Sequence, residues 1–109
     1  MKLVFMGTPQ AAVPTLERLI ADGHDVVAVY TQPDRPAGRG NKITFGLVKQ
    51  VAVDHGIEIL QPTKIKTSEA LEVFRSHDAD VAVVVAYGRI LPEAFLTAFP
   101  QGAINVHFS

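Results

Sequence analysis

The sequence predicts an α/β fold in which a doubly wound, mostly parallel sheet carries helices on both faces. Five short apolar runs lack the in–out alternation of half-exposed strands, which is typical of strands buried on both faces of a parallel sheet. Amphipathic segments separate the runs, as right-handed crossover connections require, and this arrangement is Rossmann-like. The runs are Leu3–Met6, Val26–Tyr30, Ile57–Leu60, Val81–Ala86 and Ala103–Val106. The fourth is so apolar that we predict a central position for it in the sheet.

The first two amphipathic segments carry clear helix signals. Apolar residues recur at helical spacing over residues 13–20, where Pro14 suits the first turn of a helix and Gly23 follows its end. A second apolar stripe over residues 48–55 is followed by Gly56, a residue that suits the position just past a helix. We predict one helix in each segment.

The second half of the chain has two weaker helix signals. Thr67 or Ser68 can cap a third helix, and Glu69 favours its positive N-terminus. A fourth, shorter helix is predicted around residues 92–98. The stretch Thr31–Gly46 is predicted to be irregular and is unusually long for a strand-to-helix connection, a property that is often functional in compact domains.

The composition is that of an ordinary globular domain. With 109 residues, of which 48% are hydrophobic, the chain has the size and apolar content of one domain. The net charge of −1 excludes a global basic field, so any basic site must be local. The absence of cysteine excludes disulfides, thiolate metal sites and a cysteine nucleophile. Neither a signal peptide nor a membrane span is recognisable, because the longest apolar run is far shorter than the ~20 residues that a span needs.

The first strand-to-helix turn, residues 7–12, lies where a Rossmann-like fold binds a dinucleotide. Of the glycine fingerprint only Gly7 is present, Pro9 removes an amide donor, and the Walker lysine is missing. We therefore predict a tight turn without phosphate binding, in which Gly7 supplies unusual backbone dihedrals.

The long stretch after the second strand is rich in cations and glycine. Arg35, Arg39 and Lys42 can contact phosphates without reading a base sequence, and Asp34 can pair locally. Composition alone favours a solvated surface loop. Its length, and its position at the carboxyl end of a strand, keep a role in nucleic-acid binding open.

The fourth apolar run leads into a turn at the ligand-binding end of the sheet. Gly88 permits a sharp turn there, and the backbone around Ile90 and Leu91 can offer hydrogen bonds to a flat heterocycle between apolar walls. A simple strand-to-helix connection closed by Pro92 accounts for the spacing equally well. Both interpretations stay open on the residues alone.

The last apolar run carries two polar residues, Asn105 and His107. Alternation places them on one face, about 7 Å apart, at the carboxyl end of the strand. An amide donor beside an imidazole suits acyl-type chemistry, because the amide can donate to a developing oxyanion and the imidazole can carry a proton. We expect no metal here, since no second metal-ligating side chain lies nearby in sequence.

The other three histidines are predicted to be structural. His24 follows the glycine after the first helix, and His55 and His77 lie near helix C-termini, where a cation is favourable.

Four segments spread over the chain together resemble the methionyl-tRNA formyltransferases, in that family's order and spacing. The segments are Phe5–Pro9, Thr31–Gly40, Val85–Pro92 and Ile104–Ser109. The last is shared with the wider superfamily of folate-dependent formyltransferases. The second, TQPDRPAGRG, is more selective and favours the tRNA-modifying branch.

The resemblance implies a reaction and a catalytic set. The reaction is transfer of a formyl group from 10-formyltetrahydrofolate, the co-substrate, to the amino group of methionine on initiator tRNA, a step of translation initiation. Asn105 and His107 match two members of the family's Asn/His/Asp catalytic set, and no metal takes part.

The resemblance also implies binding residues. Ile90 and Leu91 match the wall of the pterin pocket, and Ser109 opens a further folate-binding segment. Arg35, Arg39 and Lys42 lie in the loop that the family places against the tRNA. The exit of that loop, residues 43–49, departs from the family, which usually has a proline-rich turn there.

We therefore expect residues 1–109 to form the N-terminal portion of a formyltransferase catalytic domain whose sheet is incomplete at its C-terminal side. The catalytic Asp and the C-terminal tRNA-binding domain of the family are absent from the sequence. The chain alone is expected to be nearly inactive, and marginal or self-associating through its sheet edge. The full-length enzyme is expected to be a cytoplasmic monomer without membrane contact.

Two alternatives stay open. One is a formyltransferase that acts on a sugar nucleotide or a purine precursor, against which TQPDRPAGRG speaks. The other is a non-enzymatic, Rossmann-like nucleotide-binding module, against which the missing glycine fingerprint speaks.

Overall fold

The computed structural model describes residues 1–33, 35–37, 42–44 and 46–106, with the backbone alone for 35–37 and 42–44. The strands are β1 (Lys2–Gly7), β2 (Asp25–Tyr30), β3 (Arg35–Ala37), β4 (Lys42–Thr44), β5 (Glu58–Leu60), β6 (Val81–Val85) and β7 (Ala103–Val106). The helices are α1 (Val13–Ala21), α2 (Leu47–Asp54), α3 (Ser68–Ser76) and α4 (Glu93–Leu96), and a 3₁₀ turn at Gln10–Ala12 precedes α1. Each of the five predicted strands and four predicted helices is present.

The main sheet is parallel and has the strand order β5-β2-β1-β6-β7. The chain builds outward from β1 through β2 to β5, then returns to place β6 on the other side of β1 and β7 beyond it. The doubly wound α/β fold is thereby confirmed, as is the central position of β6. The strand order reverses between β1 and β6, where Met6 pairs with Val84 and Gly7 with Val85. In such sheets ligands bind outside the carboxyl ends of the strands at this switch point.

Two apolar layers cover the two faces of the sheet. Alternate residues of β1 supply both, since Val4 and Met6 belong to the cluster that contains Phe74, whereas Leu3 and Phe5 belong to the cluster that contains Leu16. All five residues of β6 are buried, as a central parallel strand requires. These buried strands hold the loops at their carboxyl ends in fixed positions.

The outer strands correct one prediction. We predicted strands buried on both faces throughout, but the side chain of Ile104 in β7 is 54% exposed and Asn105 beside it is also exposed. In β5, Glu58 is exposed and Ile59 is half-buried. The physical reason is position, because each of these strands lies at an edge of the sheet, where fewer helices cover it.

Helix ends agree with the sequence signals. The hydroxyl oxygen of Thr67 accepts a hydrogen bond of 3.1 Å from the Ala70 amide, so Thr67 and not Ser68 caps α3. Helix α1 ends two residues before Gly23, and α2 ends two residues before Gly56. Within the described part of the chain, no helix has the length and apolar character to cross a bilayer.

The long connection after β2 differs from the irregular stretch that we predicted. Strands β3 and β4 pair antiparallel there, with Arg35 opposite Thr44 and Ala37 opposite Lys42. Pro36 is tolerated because a two-stranded ribbon leaves one side of each strand without a ladder. The residues that join β3 to β4 lie outside the described part of the chain.

Candidate active site

The close approach of two strands shapes the switch point. A Cβ atom added to Gly7 would lie 2.7 Å from the carbonyl oxygen of Val85 and 3.0 Å from the Cβ of Ala12. The backbone of Gly7 is not in the left-handed region. The prediction that Gly7 supplies unusual dihedrals was therefore wrong, and the glycine is required because the 3₁₀ turn and β6 leave no room for a side chain.

The carbonyl oxygen of Tyr87, two residues after β6, receives two side-chain hydrogen bonds. The hydroxyl of Thr8 donates to it over 3.0 Å, and Nε2 of Gln32 donates over 2.9 Å. The Thr8 hydroxyl also accepts a hydrogen bond of 3.2 Å from the backbone N–H of Gln32. We call Thr8 and Gln32, the two residues that donate to this carbonyl, the carboxyl-edge clamp. It joins the loops that leave β1, β2 and β6.

Further hydrogen bonds connect the clamp to the loop after β5. Nε2 of Gln61 donates to the carbonyl of Gln32 over 3.1 Å. Nη1 of Arg89 donates to the carbonyl of Pro62, also over 3.1 Å. Four loops at the carboxyl end of the sheet are therefore held together mainly by side chains.

The turn after β6 has an unusual backbone. Ala86 adopts φ = 52° and Gly88 adopts φ = 92°, so two of three consecutive residues are left-handed. The sharp turn predicted at Gly88 is confirmed. Left-handed alanine is strained, and such strain clusters at functional sites, where surrounding contacts maintain it.

Beyond this turn lie the two residues predicted to form a ligand wall. The side chain of Ile90 is 88% exposed. Leu91 is half-buried and packs against the core cluster of Phe74. The turn therefore presents one large apolar side chain to solvent and is anchored beneath by another.

A pocket of about 320 Å³ brings Asn105 together with this turn. Asn105 pairs with Val84 across the β6–β7 ladder, which places it beside the start of the turn. The lining residues are Val84, Ala86, Tyr87, Gly88, Arg89, Asn105 and Val106. Of the residues predicted at this strand end, Asn105 thus lies in a pocket, whereas His107 and Ser109 lie outside the described residues.

A second pocket, of about 640 Å³, lies on the other side of Arg89. Its lining residues are Thr63, Lys64, Ile65, Lys66, Thr67, Arg89 and Ile90. Three of these side chains are cationic and none is a carboxylate. Arg89 lines both pockets, so a ligand that extends along the turn would pass from the polar surroundings of Asn105 to a basic surface.

Two buried tyrosines lie beneath the turn. Burial raises the pKa of Tyr87 above its ordinary value, although Arg89 opposes the shift. Burial also raises the pKa of Tyr30 strongly, and Tyr87 and Glu58 add to the increase. The Tyr87 hydroxyl is fully buried and has no hydrogen-bond partner among the described residues. Both rings therefore remain neutral, because burial penalises the phenolate form of each.

The three histidines predicted to be structural lie away from this end of the sheet. His55 and His77 follow the last residues of α2 and α3, as predicted. Nε2 of His77 lies 2.8 Å from the Tyr30 hydroxyl, and burial lowers the pKa of His77 while Glu58 opposes that shift. No group of three or more metal-ligating side chains occurs among the residues that the structure describes.

The cations predicted to contact nucleic acid are only partly located. Arg35 and Lys42 belong to β3 and β4, at opposite strands of the hairpin, and their side chains lie outside the description. Arg39 lies outside the described residues altogether.

Sequence reasoning missed the clamp and its neighbour Gln61. A usable signal was present, since Thr8, Gln32 and Gln61 are polar residues placed one or two positions after β1, β2 and β5. Carboxyl ends of parallel strands meet at one edge, so polar residues there converge. Which carbonyl they would meet could not be read from spacing.

Named proteins are similar to this chain in sequence. A family model described as formyl transferase matches residues 1–109. Over the same 109 residues the chain is 56% identical to a methionyl-tRNA formyltransferase of Nitrobacter hamburgensis and 57% identical to one of Rhodopseudomonas palustris. These matches cover 100% of this chain but 35% of each relative, so the chain spans about a third of their length.

Solved structures share the fold at low identity. A phosphoribosylglycinamide formyltransferase from Anaplasma phagocytophilum superposes with a TM-score of 0.64 at 18% identity, covering 97% of this chain and 48% of that one. A glycinamide ribonucleotide transformylase 1 from Symbiobacterium toebii gives 0.62 at 16% identity, covering 97% of this chain and 50% of that one. At these identities the likeness establishes the fold alone.

Proposed function

Because this chain belongs to the formyl transferase family over residues 1–109, we propose that it forms the N-terminal part of a methionyl-tRNA formyltransferase catalytic domain. The proposed reaction transfers a formyl group from 10-formyltetrahydrofolate to the amino group of methionine on initiator tRNA. The observation that carries this proposal is the identity of 50–57% over nearly the whole chain to curated proteins of that name. The activity is proposed for the whole protein, because this chain spans only 35% of the length of the Rhodopseudomonas palustris relative.

Asn105 is proposed as a catalytic residue. The attacking amine forms a bond to the formyl carbon and turns the formyl oxygen into an oxyanion, and the bond from that carbon to the folate nitrogen then breaks. The Asn105 amide, at the pocket beside the Ala86–Arg89 turn, donates to the oxyanion, and one such donor contributes ~3 kcal/mol to lowering the barrier. Proposed alongside it, His107 stabilises the oxyanion and carries the proton from the amine to the departing nitrogen.

Ile90, Leu91 and Ser109 are proposed to bind the folate. Two features of the described residues support this for the turn after β6. The first is the strained backbone at Ala86, and the second is a large apolar side chain, Ile90, that is 88% exposed beside a pocket. A flat heterocycle fits such an apolar wall with backbone groups at its edge. The basic pocket beyond Arg89 suits a ligand that carries carboxylates.

Arg35, Arg39 and Lys42 are proposed to contact the tRNA. They belong to the connection that leaves the carboxyl end of β2, the same edge of the sheet as Asn105. Cations on a hairpin at that edge can hold phosphates while the aminoacyl end enters the pocket. We further propose that the protein acts in the cytoplasm as a monomer.

The test is an assay on a chimera in which these 109 residues replace the matched segment of the Nitrobacter hamburgensis relative. Purified chimera is given 10-formyltetrahydrofolate with methionyl initiator tRNA, with an amino-sugar nucleotide, or with phosphoribosylglycinamide. We expect formylation of the tRNA at a rate within about tenfold of the unsubstituted relative, a difference of ~1.4 kcal/mol in barrier. Transfer only to one of the small amines would overturn the proposal. So would binding of NAD(P) by the 109-residue chain without any transfer by the chimera.

A further inference from the structure

The turn from Ala86 to Leu91 needs support that its own backbone does not provide. Ala86 and Gly88 are both left-handed, and Ala86, Gly88 and Ile90 are exposed, so the flanks of the turn make few packing contacts. A strained turn of this kind persists only when surrounding groups hold it. Tyr87, between the two left-handed residues, holds the first half of the turn, whereas Leu91 and the bond from Arg89 to Pro62 hold its end.

Tyr87 is fixed from two directions. Its side chain is 1% exposed in the core, and its carbonyl oxygen accepts the two bonds from the carboxyl-edge clamp. A side chain alone leaves the peptide plane free to rotate, whereas two donors within 3.0 Å of one carbonyl define that plane. The orientation of the Tyr87–Gly88 peptide in turn sets where Gly88 and the following residues lie.

Gln32 also touches the turn directly. A Cβ atom on Gly88 would lie 3.2 Å from Nε2 of Gln32, so the amide of Gln32 packs against Gly88 while it donates to Tyr87. Thr8 in turn holds Gln32, because its hydroxyl accepts a hydrogen bond from the backbone N–H of Gln32. Neither Thr8 nor Gln32 lines the two pockets that border the turn. For a ligand in either of these two pockets, both residues therefore act through the turn and not by contact with the ligand.

We propose that Thr8 and Gln32 are positioning residues, which hold the Tyr87 carbonyl and thereby keep the Ala86–Leu91 turn in the conformation that receives the folate co-substrate. This inference rests on the proposed function. It assigns the two residues an effect on folate binding, with little effect on the chemical step at Asn105.

The test uses the chimera and two pairs of variants. Thr8→Val keeps the shape of threonine but loses the hydroxyl, and Thr8→Ser keeps the hydroxyl. Gln32→Leu loses the amide, and Gln50→Leu is its matched control, because Gln50 bonds Asp54 on the exposed side of α2. Circular dichroism and thermal melting establish that each variant is folded before kinetics are measured.

The expected result is a split between KM and kcat. In Thr8→Val and Gln32→Leu the KM for 10-formyltetrahydrofolate rises roughly three- to tenfold, the worth of one lost hydrogen bond, with kcat nearly unchanged. Thr8→Ser and Gln50→Leu stay near the unsubstituted chimera. The double variant Thr8→Val/Gln32→Leu raises KM by less than the product of the single effects, since both residues hold one carbonyl.

A second readout does not depend on activity. In the ¹⁵N-labelled chimera, relaxation should show the order parameters of Gly88–Ile90 falling from about 0.85 toward 0.6 in Thr8→Val and Gln32→Leu only. An unchanged folate KM in both folded variants, or a fall in kcat alone, overturns the positioning role. If the unsubstituted chimera transfers no formyl group, the proposed function fails instead, and the order parameters still decide whether the clamp holds the turn.

Discussion

The two ends of the parallel sheet are closed in different ways. At the amino end, α1 is joined to β2 and α2 to β5 by three residues each, and backbone bonds close both turns. The Ile57 amide, for example, donates to the carbonyl of Ala52 over 2.9 Å. At the carboxyl end the connections that follow β2, β5 and β6 are longer, and the side chains of Thr8, Gln32, Gln61 and Arg89 tie this edge together.

The fold thereby separates the turns that close it from the connections that can meet a ligand. The conformation of a short turn that is closed by backbone hydrogen bonds depends little on which side chains it carries. Long connections closed by side chains can be reshaped by substitution, and their backbone groups remain free to meet a ligand. The amino end also has a pocket, of about 430 Å³ and lined by His24, His55, Asp25 and Glu58 among others, but the left-handed residue in its lining is a glycine, Gly56, and none of its lining residues is a large exposed apolar side chain.

The sharpest contrast between the ends is expected in catalysis. In the chimera, Asn105→Ala removes the proposed oxyanion donor and should lower kcat by about 100-fold or more. The control is Gln101→Ala, an exposed residue in the turn that precedes β7 at the amino end. Both variants are assayed for formyl transfer under saturating substrate. Equal rates for the two would contradict the catalytic role of Asn105 and the functional difference between the ends.

A smaller contrast is expected in stability at two glycines. Gly7→Ala at the carboxyl end should cost about 3 kcal/mol in the free energy of unfolding, because the backbone of Val85 cannot move away from the new methyl group. Gly56→Ala at the amino end meets no atom within 4 Å, and its φ of +67° should cost only about 1 kcal/mol. Urea unfolding of the chimera measures both. A larger loss at Gly56 would show that backbone conformation, not close approach, limits this fold.

The smallest predicted effect is a dependence of stability on pH, and it originates at His77, the residue that follows α3. Because burial lowers the pKa of His77 in the folded chain, the unfolded chain binds more protons on acidification. The stability from a neutral His77 is complete above the unfolded pKa of about 6.5 and declines as pH falls from there toward the folded pKa. We expect His77→Gln to reduce the loss of stability between about pH 7.5 and 5 relative to the unsubstituted chain. Thermal melts at the two pH values measure this, with His55→Gln as the control, and an unchanged loss in His77→Gln would rule out His77 as the source.

Much of the fold could be predicted because periodicity and burial are local signals. Continuous apolar runs identified β1 and β6, and single residues such as Gly56 and Thr67 marked helix ends. The exposure of β7 could not be predicted in the same way, because it depends on which strands flank it. The β3–β4 hairpin was missed because both strands are short, one of them contains a proline, and the sequence around them is rich in glycine.

The candidate site was predictable where one residue carries the signal and not where distant residues combine. The position of Asn105 at a strand end indicated its pocket. The clamp joins Gln32 to Tyr87 across 55 residues and Thr8 to Tyr87 across 79, and no local pattern connects them. The proposed partnership of Asn105 with His107 stays a prediction.

The position of β1 in the sheet also has a consequence for biosynthesis. This central strand is made early in translation, and its second neighbour, β6, follows only after a delay, since Leu3 pairs with Val81. At 5–20 residues per second the ribosome needs roughly 4 to 16 s to make the intervening chain. During that time the apolar stretch of β1 has β2 on one side and an open hydrogen-bonding edge on the other. Until β6 is made, this edge is a template on which another chain can pair.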